Sequence, residues 1–150
     1  SREAISVRWI IAALSDFKSQ LQARDIVRFL KYATKTFSNV TIRYLDRYIM
    51  PSEIRKAIPE CSADKYKEIR DEMKTIYQIL QKFEKMDDSE KQLPLVFDKI
   101  NLNSDEIAKL ESQGYLRSIN QQYYLPEIIR YALGFKYKGA RPKVLSMSKN

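Results

Sequence analysis

Between Glu3 and Phe17 the apolar residues Ile5, Val7, Trp9, Ile10, Ala13, Leu14 and Phe17 recur at helical spacing, and Ala4, Ile11 and Ala12 widen the stripe. This predicts a largely buried first helix with Trp9 in the core. After the polar stretch from Ser15 to Gln22, a second pattern sets Ile26, Phe29, Leu30 and Ala33 on one face, with Arg24, Arg28, Lys31 and Lys35 projecting elsewhere. It predicts a helix over Ala23–Lys35. Asn39 or Thr41 is a candidate cap for a short helix through Val40, Ile42, Leu45 and Ile49, ended or kinked by Pro51. A further turn, Ser52 to Ile58, is expected to stop near Pro59. Ser62 then suits the N-cap of a long amphipathic helix from Ala63 to about Lys85, with the stripe Tyr66, Ile69, Met73, Ile76, Tyr77, Leu80 and Phe83.

Met86 to Gln92 is acidic and lacks apolar periodicity, which makes it the candidate hinge between two units, 1–86 and 93–150. The second unit begins with an apolar run, Leu93 to Leu102, interrupted by Pro94. Ser104 is placed to cap a helix carrying Ile107 and Leu110, and Gly114 stands where a left-handed residue ends it most easily. Tyr115-Leu116 and Tyr123-Tyr124-Leu125 flank a polar run and read as a short β-hairpin. Pro126 opens a last helix with Ile128, Ile129 and Leu133, closed by Gly134. The expected fold class is therefore mainly α: a helical bundle followed by a winged-helix-like helix, hairpin and helix.

Charge divides the chain unevenly. Residues 1–60 hold 11 Lys+Arg against 6 Asp+Glu, residues 61–133 hold 11 against 13, and residues 134–150 hold 5 against none. The protein carries a formal charge of +8, and its basic excess sits at the two ends. With no histidine there is no imidazole base and no Cys/His zinc site. Three scattered glycines make no phosphate-cradling loop. No apolar run approaches the roughly 20 residues that span a bilayer. The first residues lack the succession of a secretory signal, and Cys61 has no intrachain partner, so a reducing, cytoplasmic compartment is expected.

The stretches Gln22-Ala23-Arg24-Asp25-Ile26-Val27-Arg28-Phe29-Leu30, Leu110-Glu111-Ser112-Gln113-Gly114-Tyr115-Leu116 and Tyr124-Leu125-Pro126-Glu127-Ile128, with Gly139-Ala140-Arg141-Pro142-Lys143-Val144-Leu145, resemble the C-terminal part of large bacterial P-loop ATPases. The resemblance covers nearly the whole chain at the level of segment order. It implies that residues 1–86 are the helical lid that follows a nucleotide-binding core, and that Arg24 is similar to the lid arginine that approaches nucleotide phosphates in AAA-like and initiator-type ATPases. A guanidinium suits that task because it is permanently charged and presents several donors at once. ATP and magnesium would belong to the parent protein, and none is expected to be held by this fragment. The upstream ATPase core is the implied partner.

Other residues are weighed against simpler roles. Arg24 has a competing reading as the ion-pair partner of Asp25 or Asp16. Asp64, Glu68, Asp71 and Glu72 interleave with Lys65, Lys67, Arg70 and Lys74, the pattern of a solvated helix surface, and predict no metal or acid-base centre. Lys136, Lys138, Arg141 and Lys143 form a basic tail suited to an acidic partner or nucleic acid. The expected function is a non-catalytic regulatory and interaction region of a P-loop ATPase, coupling nucleotide state to domain position or self-association. The rival is a winged-helix DNA-binding module using wing and tail.

Overall fold

The computed structural model describes residues 2–35 and 51–139; the expected short helix over 39–49 lies outside them, as do Arg141 and Lys143. The described chain is mainly helical. Helices α1 (Arg2–Leu14), α2 (Ala23–Lys35), α3 (Pro51–Glu72) and α4 (Lys74–Glu84) precede short strands β1 (Gln92–Leu93) and β2 (Leu95–Val96) and a 3-10 turn over Phe97–Lys99. Then come α5 (Ser104–Ser112), the hairpin β3 (Arg117–Ile119) and β4 (Gln122–Tyr124), α6 (Glu127–Arg130) and β5 (Lys136–Tyr137). The three-stranded antiparallel sheet has the order β2-β4-β3, and β1 pairs in parallel with β5.

Helix α2 has the predicted bounds but buries only half of the predicted face. Asp25, Phe29 and Ala33 are buried, whereas Ile26 and Leu30 are exposed. Ionic and hydrogen bonds to α3 hold the helix by its Asp25 side, so the aliphatic residues half a turn away point outward. Helix α1 is likewise less buried than its composition suggests. Ala13 and Leu14 are in the core and Trp9 packs against it, but Val7 and Ile11 are exposed. A helix apolar all round can bury only the stripe that meets its neighbours, here α3 and α6.

The long helix departs most from expectation. It begins at Pro51 and continues through Pro59 and Ser62 to Glu72. Pro59 removes one backbone donor, yet its neighbours Ala57, Ile58 and Cys61 are buried, and that packing keeps the turn helical. Ser62 caps nothing: its hydroxyl is fully buried and accepts a hydrogen bond from the Ala132 backbone N–H at 2.9 Å. The helix breaks instead at Met73, whose dihedrals leave the helical region (φ −128°, ψ 62°). Hydrogen bonds from Met73 N–H to the Ile69 carbonyl (2.8 Å) and from Tyr77 N–H to the Met73 carbonyl (2.9 Å) bridge the break. The apolar stripe survives: Ile69, Ile76, Leu80 and Phe83 are buried.

The second half follows its turn chemistry. Asn103, rather than Ser104, caps α5: its side chain accepts from Glu106 N–H, while the Glu106 carboxylate accepts from Asn103 N–H in return. The hairpin's first strand is Arg117–Ile119, within the polar run, and not Tyr115-Leu116, which are buried ahead of it; the turn then places Asn120 and Gln121 at positive φ, as a two-residue turn requires. Phe135 is buried and meets Phe83 edge to face at 5.8 Å, so the start of the basic segment belongs to the core. One apolar cluster contains residues from Ala13 to Phe135, drawing on both halves of the chain.

Gly114 (φ +74°) ends α5 and also receives the α1–α2 loop: Phe17 N–H donates to its carbonyl at 2.9 Å, and a Cβ there would lie 2.9 Å from Asp16 Cγ. Asp16 cannot swing away freely, because its Oδ1 accepts from the N–H groups of Lys18 and Gln20. At Gly134 (φ +77°) the nearest atom is a flexible Lys91 Cδ at 3.7 Å. Gly134→Ala should therefore cost only the left-handed strain of about 1–2 kcal/mol, and Gly114→Ala roughly 1–2 kcal/mol more. Urea unfolding of the two variants measures the difference; equal losses would show that Asp16 yields.

Candidate functional site

The α2–α3 contact is built from two complementary stripes. On α2, Arg24 and Arg28 lie one turn apart, with Asp25 beside them. On α3, Asp64, Glu68 and Glu72 are spaced four residues apart, with Lys65 next to the first. Helical periodicity brings each set onto one face, and antiparallel packing matches them: Tyr32 meets Asp64, Arg28 meets Glu68 and Arg24 meets Glu72.

At the centre, Asp25 and Lys65 are buried. The Lys65 ammonium donates to Asp25 Oδ2 (3.2 Å), Glu68 Oε1 (3.0 Å) and Gln22 Oε1 (3.0 Å), which satisfies its three protons. Arg28 Nη1 donates to Asp25 Oδ1 (3.0 Å) and Glu68 Oε2 (2.7 Å). Burial by itself would raise the pKa of Glu68, but the hydrogen bonds from Lys65 and Arg28 outweigh it and hold the carboxyl below its ordinary value. Tyr32 is pushed up to about 12 by its 2.6 Å hydrogen bond to Asp64, together with burial.

Arg24 stands at the rim of this network. Its Nη1 and Nη2 donate to the two Glu72 oxygens at 3.0 and 3.2 Å, Nη2 also lies 3.1 Å from Glu68, and Nε donates to Gln22 at 2.7 Å. Its carboxylate partners come from α3; Asp25 is taken by Arg28 and Lys65. The side chain remains 45 % exposed. Asp64, Glu68 and Glu72 thus form part of an interhelical network, unlike Lys67, Arg70 and Asp71, which are exposed as a solvated surface should be.

A cleft of about 220 Å³ opens beside Lys65, lined by Asp16, Gln20, Gln22, Asp25 and Tyr115 among others. Burial pushes the Tyr115 phenol up to about 12, with nearby Asp16 and Glu68 acting in the same direction. Among the described residues no group of three or more Cys, Asp or Glu is arranged to hold a metal ion, and no helix is long and apolar enough to cross a membrane.

Lys136 and Lys138 are exposed at and beside β5, on a different element from Arg24. Besides its pairing with β1, β5 rests on a buried pair, Glu127 and Arg130, absent from the sequence-based expectations. Arg130 donates from Nε and Nη2 to the two Glu127 oxygens at 3.0 and 2.9 Å and from Nη1 to the Phe135 carbonyl at 2.6 Å. Its guanidinium also lies over the rings of Tyr131 and Tyr137. The signal was an acid and an arginine three residues apart in an apolar helix, and the interhelical network had its own in the four-residue repeat of carboxylates on α3. Comparisons with family models, curated proteins and solved structures return no match to this chain.

Because the folded Glu68 carboxyl is lowered, it stabilises the protein fully above its unfolded pKa, and that stability is lost as pH falls through the folded value. Urea midpoints should decline below about pH 5, and Glu68→Gln should flatten this limb. Glu106, also lowered by Lys82 and the Asn103 N–H, keeps part of it. An acid limb unchanged in Glu68→Gln would mean the network does not discriminate the charged carboxyl.

Proposed function

We propose that this chain is a non-catalytic regulatory and interaction region of a bacterial, cytoplasmic P-loop ATPase, which couples nucleotide state to domain position or assembly. The observation that carries this reading is the half-exposed Arg24 guanidinium, held on Glu68 and Glu72 at the seam between α2 and α3. It is a displaceable contact. Exposed ion pairs contribute only about 0–1 kcal/mol, so a nucleotide phosphate on an adjoining core, with its higher charge, competes well for the same donors. Capture of Arg24 would release Glu72 and alter how α2 sits on α3. ATP and magnesium would be held by the parent core.

The second unit is read as winged-helix-like. Supporting this are the strand order β2-β4-β3, the passage from β2 through the 3-10 turn to α5, and the tight Asn120–Gln121 turn in the position of a wing. Its use as a duplex reader is disfavoured by charge. Asp105 on α5 is 84 % exposed, and Lys82, close by, is engaged by Glu106. A helix entering a groove needs the opposite balance. Nucleic-acid binding would instead fall to the basic segment around Lys136 and Lys138.

In the full-length ATPase, Arg24→Ala should lower turnover or nucleotide-dependent assembly several-fold, with the helical content of the isolated chain unchanged. Wild-type turnover and assembly would overturn the role. The DNA reading is tested on duplex at two salt concentrations with the chain ending at Gly139, a truncation that spares buried Phe135 and the β1–β5 pair. Salt-sensitive binding that is lost on this truncation, or in the full chain on Lys136→Glu with Lys138→Glu, would favour the rival.

A further inference from the structure

The outward face of α2 is unusual for a soluble helix: Ile26, Val27 and Leu30 are 41, 65 and 47 % exposed, although the same helix buries an aspartate. Helical geometry gives this face two parallel ridges, Ile26-Leu30-Thr34 and Ala23-Val27-Lys31, spaced four residues apart, with a groove between them. The ridges end in small side chains, Ala23 and Thr34, which permit close approach. The only acid of α2, Asp25, is buried on the opposite side, while Lys31 and Lys35 are exposed along one flank. Among the described residues of α2, the face therefore offers aliphatic groups flanked by two exposed lysines.

We propose that this face of α2 is a docking surface for an amphipathic helix of another protein segment, with its apolar stripe in the Ile26/Val27/Leu30 groove and its own Asp or Glu residues against Lys31 and Lys35. Charge complementarity selects this occupant. A second copy docked antiparallel through the same face would bring Lys31 and Lys35 toward the Arg24–Arg28 flank of its mate, setting like charges together. A broad anionic lipid surface would meet the Glu72 carboxylate, 54 % exposed beside Arg24, together with the lysines, whereas a helix can set its acids against Lys31 and Lys35 alone, about two turns or more along α2 from Arg24. A helix with leucine-type residues at i, i+3, i+4 and i+7 and acids along one flank satisfies both features at once. The docking deepens the proposed interaction role and rests on it. Its test needs neither nucleotide nor ATPase core, so failure of the surface is distinguishable from failure of nucleotide coupling.

The probe is a fluorescein-labelled synthetic helix with leucines at those positions and flanking glutamates, compared with a twin carrying lysines, titrated by anisotropy with the 150-residue chain. The acidic peptide should bind about tenfold or more tightly than its twin, and less tightly as salt rises. Val27→Glu should weaken it about tenfold, and Lys31→Glu with Lys35→Glu should reverse the preference. Circular dichroism checks each variant, and Val27→Ser replaces any that does not fold. Absence of binding by the acidic peptide, binding indifferent to Val27, or a preference that does not reverse would overturn the proposal. So would phosphatidylserine vesicles that bind the chain in place of the peptide, or a concentration-dependent dimer abolished by Val27→Glu.

Discussion

Placing an aspartate and a lysine in the seam between two helices is costly unless every proton and lone pair finds a partner, because desolvating either charge opposes folding by several kcal/mol. Asp25 and Lys65 meet that demand through Gln22, Arg28 and Glu68. The constraint then determines the orientation of the whole second helix. With Asp25 directed at α3, Phe29 and Ala33 follow into the core, and Ile26, Val27 and Leu30 have nowhere to go but outward. Hydrophobic periodicity by itself would have rotated the helix part of a turn, to bury Ile26 and Leu30 along with Phe29 and Ala33.

The same reasoning separates what could be read in the residues from what could not. Helix α2 was legible to the residue, because Lys35 closes a clear amphipathic pattern. Its orientation was not, since an ion pair between residues 25 and 65 leaves no local mark. Ser62 looked like a cap because serine before a helical run usually is one, yet the preceding turns through Pro59 were held helical by burial. The hydroxyl was needed instead to satisfy the Ala132 N–H, far along the sequence. By contrast, Gly114 and the capping region of α5 act within a few residues. There the forecast was close, with Asn103 replacing its neighbour Ser104.

For the candidate site the balance is similar. Arg24 was singled out through a resemblance, and its geometry adds what no motif carries: the carboxylates it must leave before it can serve another anion. Its side chain is exposed enough to be reached and paired enough to be held. Those two properties are what the proposed function draws on. Glu127 and Arg130 are the contrasting case, equally paired but sealed by Tyr131, Tyr137 and the Phe135 carbonyl, and so committed to structure.

Phe135 gives the architecture a direction in time. The buried face of α4 awaits its ring on Phe83, and β1 awaits β5, but both arrive only after the hairpin and α6 have been made. In a chain made from its N-terminus, the Phe83–Phe135 contact and the β1–β5 pair can close only once β5 has emerged, so this part of the core stays incomplete while the hairpin and α6 are being made. The acidic stretch just before β1, with Asp87, Asp88 and Glu90, lies between these two waiting surfaces. Its charge opposes the intermolecular sticking that such an interval invites.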